Sequence, residues 1–112
     1  MFGLFQPTPP AHHNLTPAQF AEGLRRSGAV LVDVRRPDEY ALGYIPGSVN
    51  IDVTAADFAQ RVATLDKTTP TYVYCRSGAR SAKAAAQLSA AGFTDVHNLL
   101  GGVLDWPTPL TS

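Results

Sequence analysis

The sequence holds one cysteine, Cys75, with one tryptophan and one methionine. It has no apolar run approaching the roughly 20 residues needed to cross a bilayer. A single thiol cannot close an internal disulfide, so the fold is not built around oxidation. Charge is scarce and balanced: charged residues make up 16% of the chain, with nine basic against nine acidic. No broad field of either sign is therefore available to gather nucleic acid or an anionic membrane. Any charge that matters must act locally. The opening "MFGLFQPTPP" carries no basic stretch, and its apolar part is too short for a secretory signal. The expected setting is cytoplasmic.

What is present is a globular composition, 45% hydrophobic over 112 residues, enough for one domain with a real core. Pro7, Pro9 and Pro10 predict a flexible lead-in over residues 1–10, with a single domain following over 11–112. Leu15 closes a short edge strand. Thr16 reads as an N-cap, with Pro17 at the first helical position and Gln19 completing a capping box, and the helix stops at Gly28. "AVLVDV" (29–34) is apolar on successive residues, as a strand buried on both faces would be. "RPDEYALG" predicts a short helix, and "IPGSVNI" a turn followed by a short strand. "TAADFAQRVATL" predicts a helix capped by Thr54, amphipathic through Phe58, Val62 and Leu65. "TYVYC" (71–75) is a second buried strand, "ARSAKAAAQLSAAG" a helix stopped by Gly92, "DVHNLL" a last strand, and "GGVLDWP" a final helical turn.

Strands alternating with helices argue for an α/β fold with a mostly parallel sheet. Ligands of such sheets bind outside the carboxyl ends of the strands. Cys75 falls at such an end, immediately before a helix. The loop "CRSGAR" contains Gly78, which permits a tight reversal, and helix-start N–H groups without intrahelical partners. Arg76 and Arg80 add permanent positive charge. Helix N-termini and nearby cations favour thiolate over thiol, and the same N–H groups can cradle an anion. Cys75 is thus readable as a nucleophile with its own anion receptor, or as a small buried hydrophobe at a strand end. Two arginines and a glycine are poor packing choices for the second role.

Three segments carry a resemblance. "DVRRPDEYALGYIPGSVNI" (33–51) resembles the first motif of rhodanese-like domains, "CRSGARS" their active-site loop, and "VHNLLGGVLDW" (96–106) their closing motif. The resemblance implies a three-layer α/β/α fold around a central, mostly parallel sheet of about five strands. It further implies sulfurtransferase chemistry, in which a thiolate takes the outer sulfur of a donor such as thiosulfate and becomes a persulfide. The sulfur then passes to cyanide or a thiol, including a protein thiol such as that of thioredoxin. Carried over, Cys75 is the nucleophile. The N–H groups of Arg76, Ser77, Gly78, Ala79 and Arg80 line the cradle, with the two guanidinium groups near a small anionic donor. Arg76 favours thiosulfate as that donor. No metal or organic cofactor is implied.

Asp33, Arg35 and Glu39 belong to the first motif and are expected to cap loops and pair with one another beside the site, with a donor contact by Arg35 as the alternative. Tyr44 stands where the family often has histidine, and Ser48 where it often has alanine. Trp106 is expected as a packing anchor. His12 and His13 lack a third ligand of suitable spacing and read as part of a solvated lead-in. Two rival functions remain: a non-catalytic rhodanese-like binding or regulatory module, and a phosphatase or arsenate reductase. The second uses C-x-x-x-x-x-R, whereas only four residues separate Cys75 from Arg80.

Overall fold

The computed structural model describes residues 12–112; the lead-in expected over 1–10 lies outside them. Five strands form one sheet in the order β1-β5-β4-β2-β3. They are β1 (His13–Leu15), β2 (Val30–Asp33), β3 (Val49–Asn50), β4 (Thr71–Tyr74) and β5 (Val96–Leu99). Every pairing between them is parallel. The helices are α1 (Pro17–Ser27), α2 (Pro37–Ala41), α3 (Phe58–Val62) and α4 (Ala79–Ala90), followed by a 3-10 turn over Gly102–Asp105. No helix among the described residues is long and apolar enough to cross a membrane.

The strand side chains divide the core in two, as a period of two requires. Val32, Val34, Val73 and Cys75 pack with Phe58, Val62, Ala84, Ala85 and Leu88 on the α3/α4 face. Leu31, Tyr72, Tyr74 and Leu99 pack with Phe20 on the other face, where Leu24 and Trp106 join them. The fold is therefore three-layered, α/β/α. Phe20 is the one fully buried side chain of α1, worth roughly 1.5–3 kcal/mol of apolar burial, and it meets Tyr72 and Trp106 edge to face. Trp106 is thus a packing anchor, although its Nε1 finds no acceptor among the described residues.

Local signals placed most boundaries. Thr16 Oγ1 accepts the Gln19 N–H, Gln19 Oε1 accepts the Thr16 N–H, and Gly28 ends α1 in the left-handed region. Two expectations need correction. Thr54 does not cap a helix: its N–H and hydroxyl both donate to Asp52 Oδ1, at 2.8 and 2.7 Å. That side-chain turn competes for the backbone, and α3 starts only at Phe58, with Phe58 and Val62 buried as the pattern required. His13 also lies outside any loose lead-in. It pairs with His97 in the β1–β5 ladder, and the two rings stack with centroids 5.1 Å apart.

Candidate active site

β4 ends at Tyr74 and α4 starts at Ala79, so the residues 75–78 make the whole turn between them. Strand alternation points Cys75 into the α3/α4 core, where it is 1% exposed. Gly78, at φ 102°, reverses the chain in a conformation that L side chains rarely adopt. Its N–H then points back at Cys75 Sγ, 3.1 Å away. The first turn of α4 adds the Ser81 N–H and the Ser81 hydroxyl, each 3.4 Å from the sulfur. Burial pushes the Cys75 thiol up. The Ser81 hydroxyl and the backbone N–H groups of Ser81, Gly78 and Ser77 more than offset it, and the thiol titrates below its ordinary range. The thiolate is thus favoured by donors a few ångströms away. The Ala79 and Arg80 N–H groups, first in the helix, have no acceptor among the described residues.

The glycine pair after β5 supports this loop from beneath. Val103 N–H donates to the Cys75 carbonyl at 3.0 Å and Leu104 N–H to the Arg76 carbonyl at 3.1 Å. Gly102, at φ 58°, has no room for a side chain, since a Cβ would overlap both of those carbonyls. A Cβ on Gly78 would in turn press on the Gly101 nitrogen and the Leu99 carbonyl. Of the first-motif charges, Arg35 and Glu39 line the groove that Arg76 also lines, and Asp33 lies buried behind them. Asp33 and Arg35 form a buried pair, Arg35 Nη2 lying 2.7 Å from Asp33 Oδ2 and 2.6 Å from the Gly43 carbonyl. Glu39 pairs with Arg80, not with Arg35, at 2.7 and 3.0 Å. Arg80 holds the Glu39 carboxyl at about 2, against the burial that opposes ionisation and with help from the Arg36 N–H. Arg76 is exposed. It lines an open groove of about 200 Å³ together with Arg35, Glu39, Leu42, Val103 and Leu110.

The chain that builds this parallel five-stranded sheet, with a lone thiol in an N–H-lined turn at a strand's carboxyl end, matches the Rhodanese-like domain model over residues 16–108. The chain belongs to the rhodanese-like domain family. The thiosulfate sulfurtransferase GlpE of Pseudomonas fluorescens is 45% identical, across 82% of this chain and 83% of that protein. Its namesake in Pseudomonas syringae is 46% identical, across 82% and 85%. A solved rhodanese-like domain protein of Staphylococcus aureus superposes with a TM-score of 0.77 at 31% identity, covering 88% of this chain and 96% of that one.

Within this rhodanese-like domain the two family departures have defined surroundings. Tyr44 stacks on Tyr40, ring centroids 4.2 Å apart, and bridges to Thr111 in the tail. Ser48 accepts the Tyr74 hydroxyl at 3.1 Å, and that same hydroxyl accepts the Ile45 N–H at 3.0 Å. One neighbour of the sulfur was passed over in the sequence. Ser81 stands six positions after Cys75, and its contact becomes visible only once α4 is known to start at Ala79. The third residue of a helix then directs both its N–H and a short hydroxyl back at the turn.

Proposed function

We propose that this protein is a thiosulfate sulfurtransferase, moving a sulfane sulfur to cyanide or a thiol through a persulfide on Cys75. The observation that carries the reading is the buried Cys75 Sγ at the end of β4, with N–H donors on it from Gly78 and Ser81. The thiosulfate sulfurtransferase names of the relatives support the same assignment. In the loading step the thiolate attacks the outer sulfur of thiosulfate, the donor's S–S bond breaks, and sulfite leaves with the electron pair. In discharge the acceptor attacks the outer sulfur of the persulfide, the bond to Sγ breaks, and its electron pair returns to Sγ. Cyanide leaves as thiocyanate.

The cradle for the donor is the turn Arg76, Ser77, Gly78, Ala79 and Arg80. Its N–H groups stabilise negative charge in place, which is worth most where water is excluded. Arg76 is the donor's cationic contact, because its guanidinium is exposed on the groove while both terminal nitrogens of Arg80 are engaged by Glu39. Asp33, Arg35 and Glu39 act as supports that fix the walls. The phosphatase reading is weaker on two counts: the turn is one residue short, and Arg80 is committed sideways instead of facing a tetrahedral oxyanion. The chemistry calls for no metal or organic cofactor. The acceptor in the cell is a thiol, with a protein thiol such as that of thioredoxin among the candidates, and the single thiol suits a reducing, cytoplasmic setting.

The test is intact mass before and after incubation with thiosulfate in the absence of reductant, for the native chain and Cys75→Ser. Gain of one sulfur by the native chain only, discharged by cyanide as thiocyanate, is the expected result. No gain in the native chain overturns the proposal and leaves a binding module.

A further inference from the structure

We propose that the Ser81 hydroxyl is a two-position hydrogen-bond donor that favours the discharge half of the sulfur cycle, turning to Cys75 Sγ when the sulfur is a thiolate and to the Gly78 carbonyl when it is a persulfide. This rests on the sulfurtransferase reading above. Ser81 is fully buried, and its Oγ lies 3.4 Å from Sγ and 3.2 Å from the Gly78 carbonyl oxygen. A serine hydroxyl has one proton to give, so only one of these acceptors is served at a time. The Gly78 carbonyl already accepts the Ala82 N–H at 3.1 Å and has a second lone pair free to take the hydroxyl.

The charge on Sγ decides between them. A thiolate is an ionised acceptor, and bonds to ionised acceptors are roughly twice as strong as neutral ones. In the persulfide the negative charge sits on the outer sulfur and Sγ is neutral, so the carbonyl becomes the better partner. Loading removes charge from Sγ and therefore loses the Ser81 bond on the way. Discharge returns an electron pair to Sγ and gains that bond as the S–S bond breaks. Ser81 thus makes the thiolate slightly less nucleophilic and a markedly better leaving group, the two ways in which a lowered thiol pKa acts in exchange chemistry. The backbone donors on Sγ are fixed, whereas the hydroxyl rotates with the state of the sulfur.

The experiment compares Ser81→Ala with the native chain in three readings. The first is the pH dependence of Cys75 alkylation by iodoacetamide. The second and third are the single-turnover rates of persulfide formation from thiosulfate and of its discharge by cyanide, both taken above the alkylation midpoint so that each thiol is fully ionised. The expected result is a midpoint moved upward, discharge about tenfold slower, as loss of one charge-assisted hydrogen bond to a leaving group implies, and loading equal or faster. An unchanged midpoint, or both half-reactions slowed alike, overturns the proposal and leaves Ser81 a packing residue. If the native chain takes up no sulfur, the sulfurtransferase reading itself fails and the discharge role falls with it. The alkylation midpoint then still decides whether Ser81 donates to the thiolate.

Discussion

Arg80 closes both terminal nitrogens onto the Glu39 carboxylate, Nη1 to Oε1 at 2.7 Å and Nη2 to Oε2 at 3.0 Å, across 41 positions of sequence. The pair ties the first turn of α4 to α2, so the turn that holds the sulfur is braced from the side by charge. Its fork-to-fork geometry is the strong form of a carboxylate–guanidinium contact, and its effect on stability is set by how far solvent screens it.

This pair makes acid stability testable. Glu39 titrates at about 2 in the folded chain, against 4.5 ordinarily. A carboxyl depressed on folding stabilises fully above its unfolded pKa, and that contribution is lost as pH falls from 4.5 toward 2. With the two side chains 31% and 23% exposed, the contribution is about 1 kcal/mol. Urea unfolding of native protein and Glu39→Gln should therefore differ by about that amount at pH 7 and converge near pH 2. A constant difference at both pH values would contradict the assignment.

Gly102→Ala should damage the site more than the fold. The added methyl meets the Cys75 and Arg76 carbonyls and must displace the turn that carries the sulfur, on top of the roughly 1–3 kcal/mol for a non-glycine residue held at positive φ. Sulfur uptake by the folded fraction should fall at least tenfold, about the effect of small misplacement of a reacting group. Gly101→Ala is the control: it shares the positive φ, but the three atoms nearest a Cβ there all belong to the Asp105 side chain and not to the carbonyls of the Cys75 turn. Equal loss of uptake in both variants would show that the turn does not depend on this support.

Arg76→Ala should raise the thiosulfate KM several-fold with kcat nearly unchanged, the pattern of an interaction made equally in ground and transition states. Steady-state kinetics with thiosulfate varied at fixed cyanide reads this directly. An unchanged KM would remove Arg76 as the donor's contact.

Tyr74→Phe should cost about 1–3 kcal/mol in urea unfolding, since the buried Ile45 N–H loses its acceptor. Ser48→Ala should cost less, because the tyrosine hydroxyl keeps the Ile45 bond and loses only its own acceptor. Reversed magnitudes would mean that packing, not hydrogen bonding, governs this position.

Features written in adjacent residues were legible beforehand. The Thr16–Gln19 box, the Gly28 stop and the strand-to-helix junction at Cys75 each depend on a few neighbouring side chains. The Thr54 cap was misplaced for the same reason in reverse: Asp52, two residues earlier, offered the backbone a competing turn. Partners far apart in sequence were not legible. Asp33 does pair with Arg35, two positions away, but Glu39 reaches over to Arg80 because the parallel sheet brings α2 and the start of α4 to the same edge. The Ser81 contact required the starting residue of α4, and the role of Gly102 required knowing that the chain returns directly beneath Cys75.

The deep seat of Cys75 Sγ sets a size limit on what can touch it. Two empty copies cannot join through their thiols, since a disulfide needs Cα atoms within about 7 Å and Cys75 is only 1% exposed. Small oxidants such as peroxide are not excluded in this way, so oxidative loss in storage should proceed by oxygen addition to sulfur, not by dimer formation. Loading changes the reach. On the proposed persulfide the reactive atom lies about 2 Å beyond Sγ.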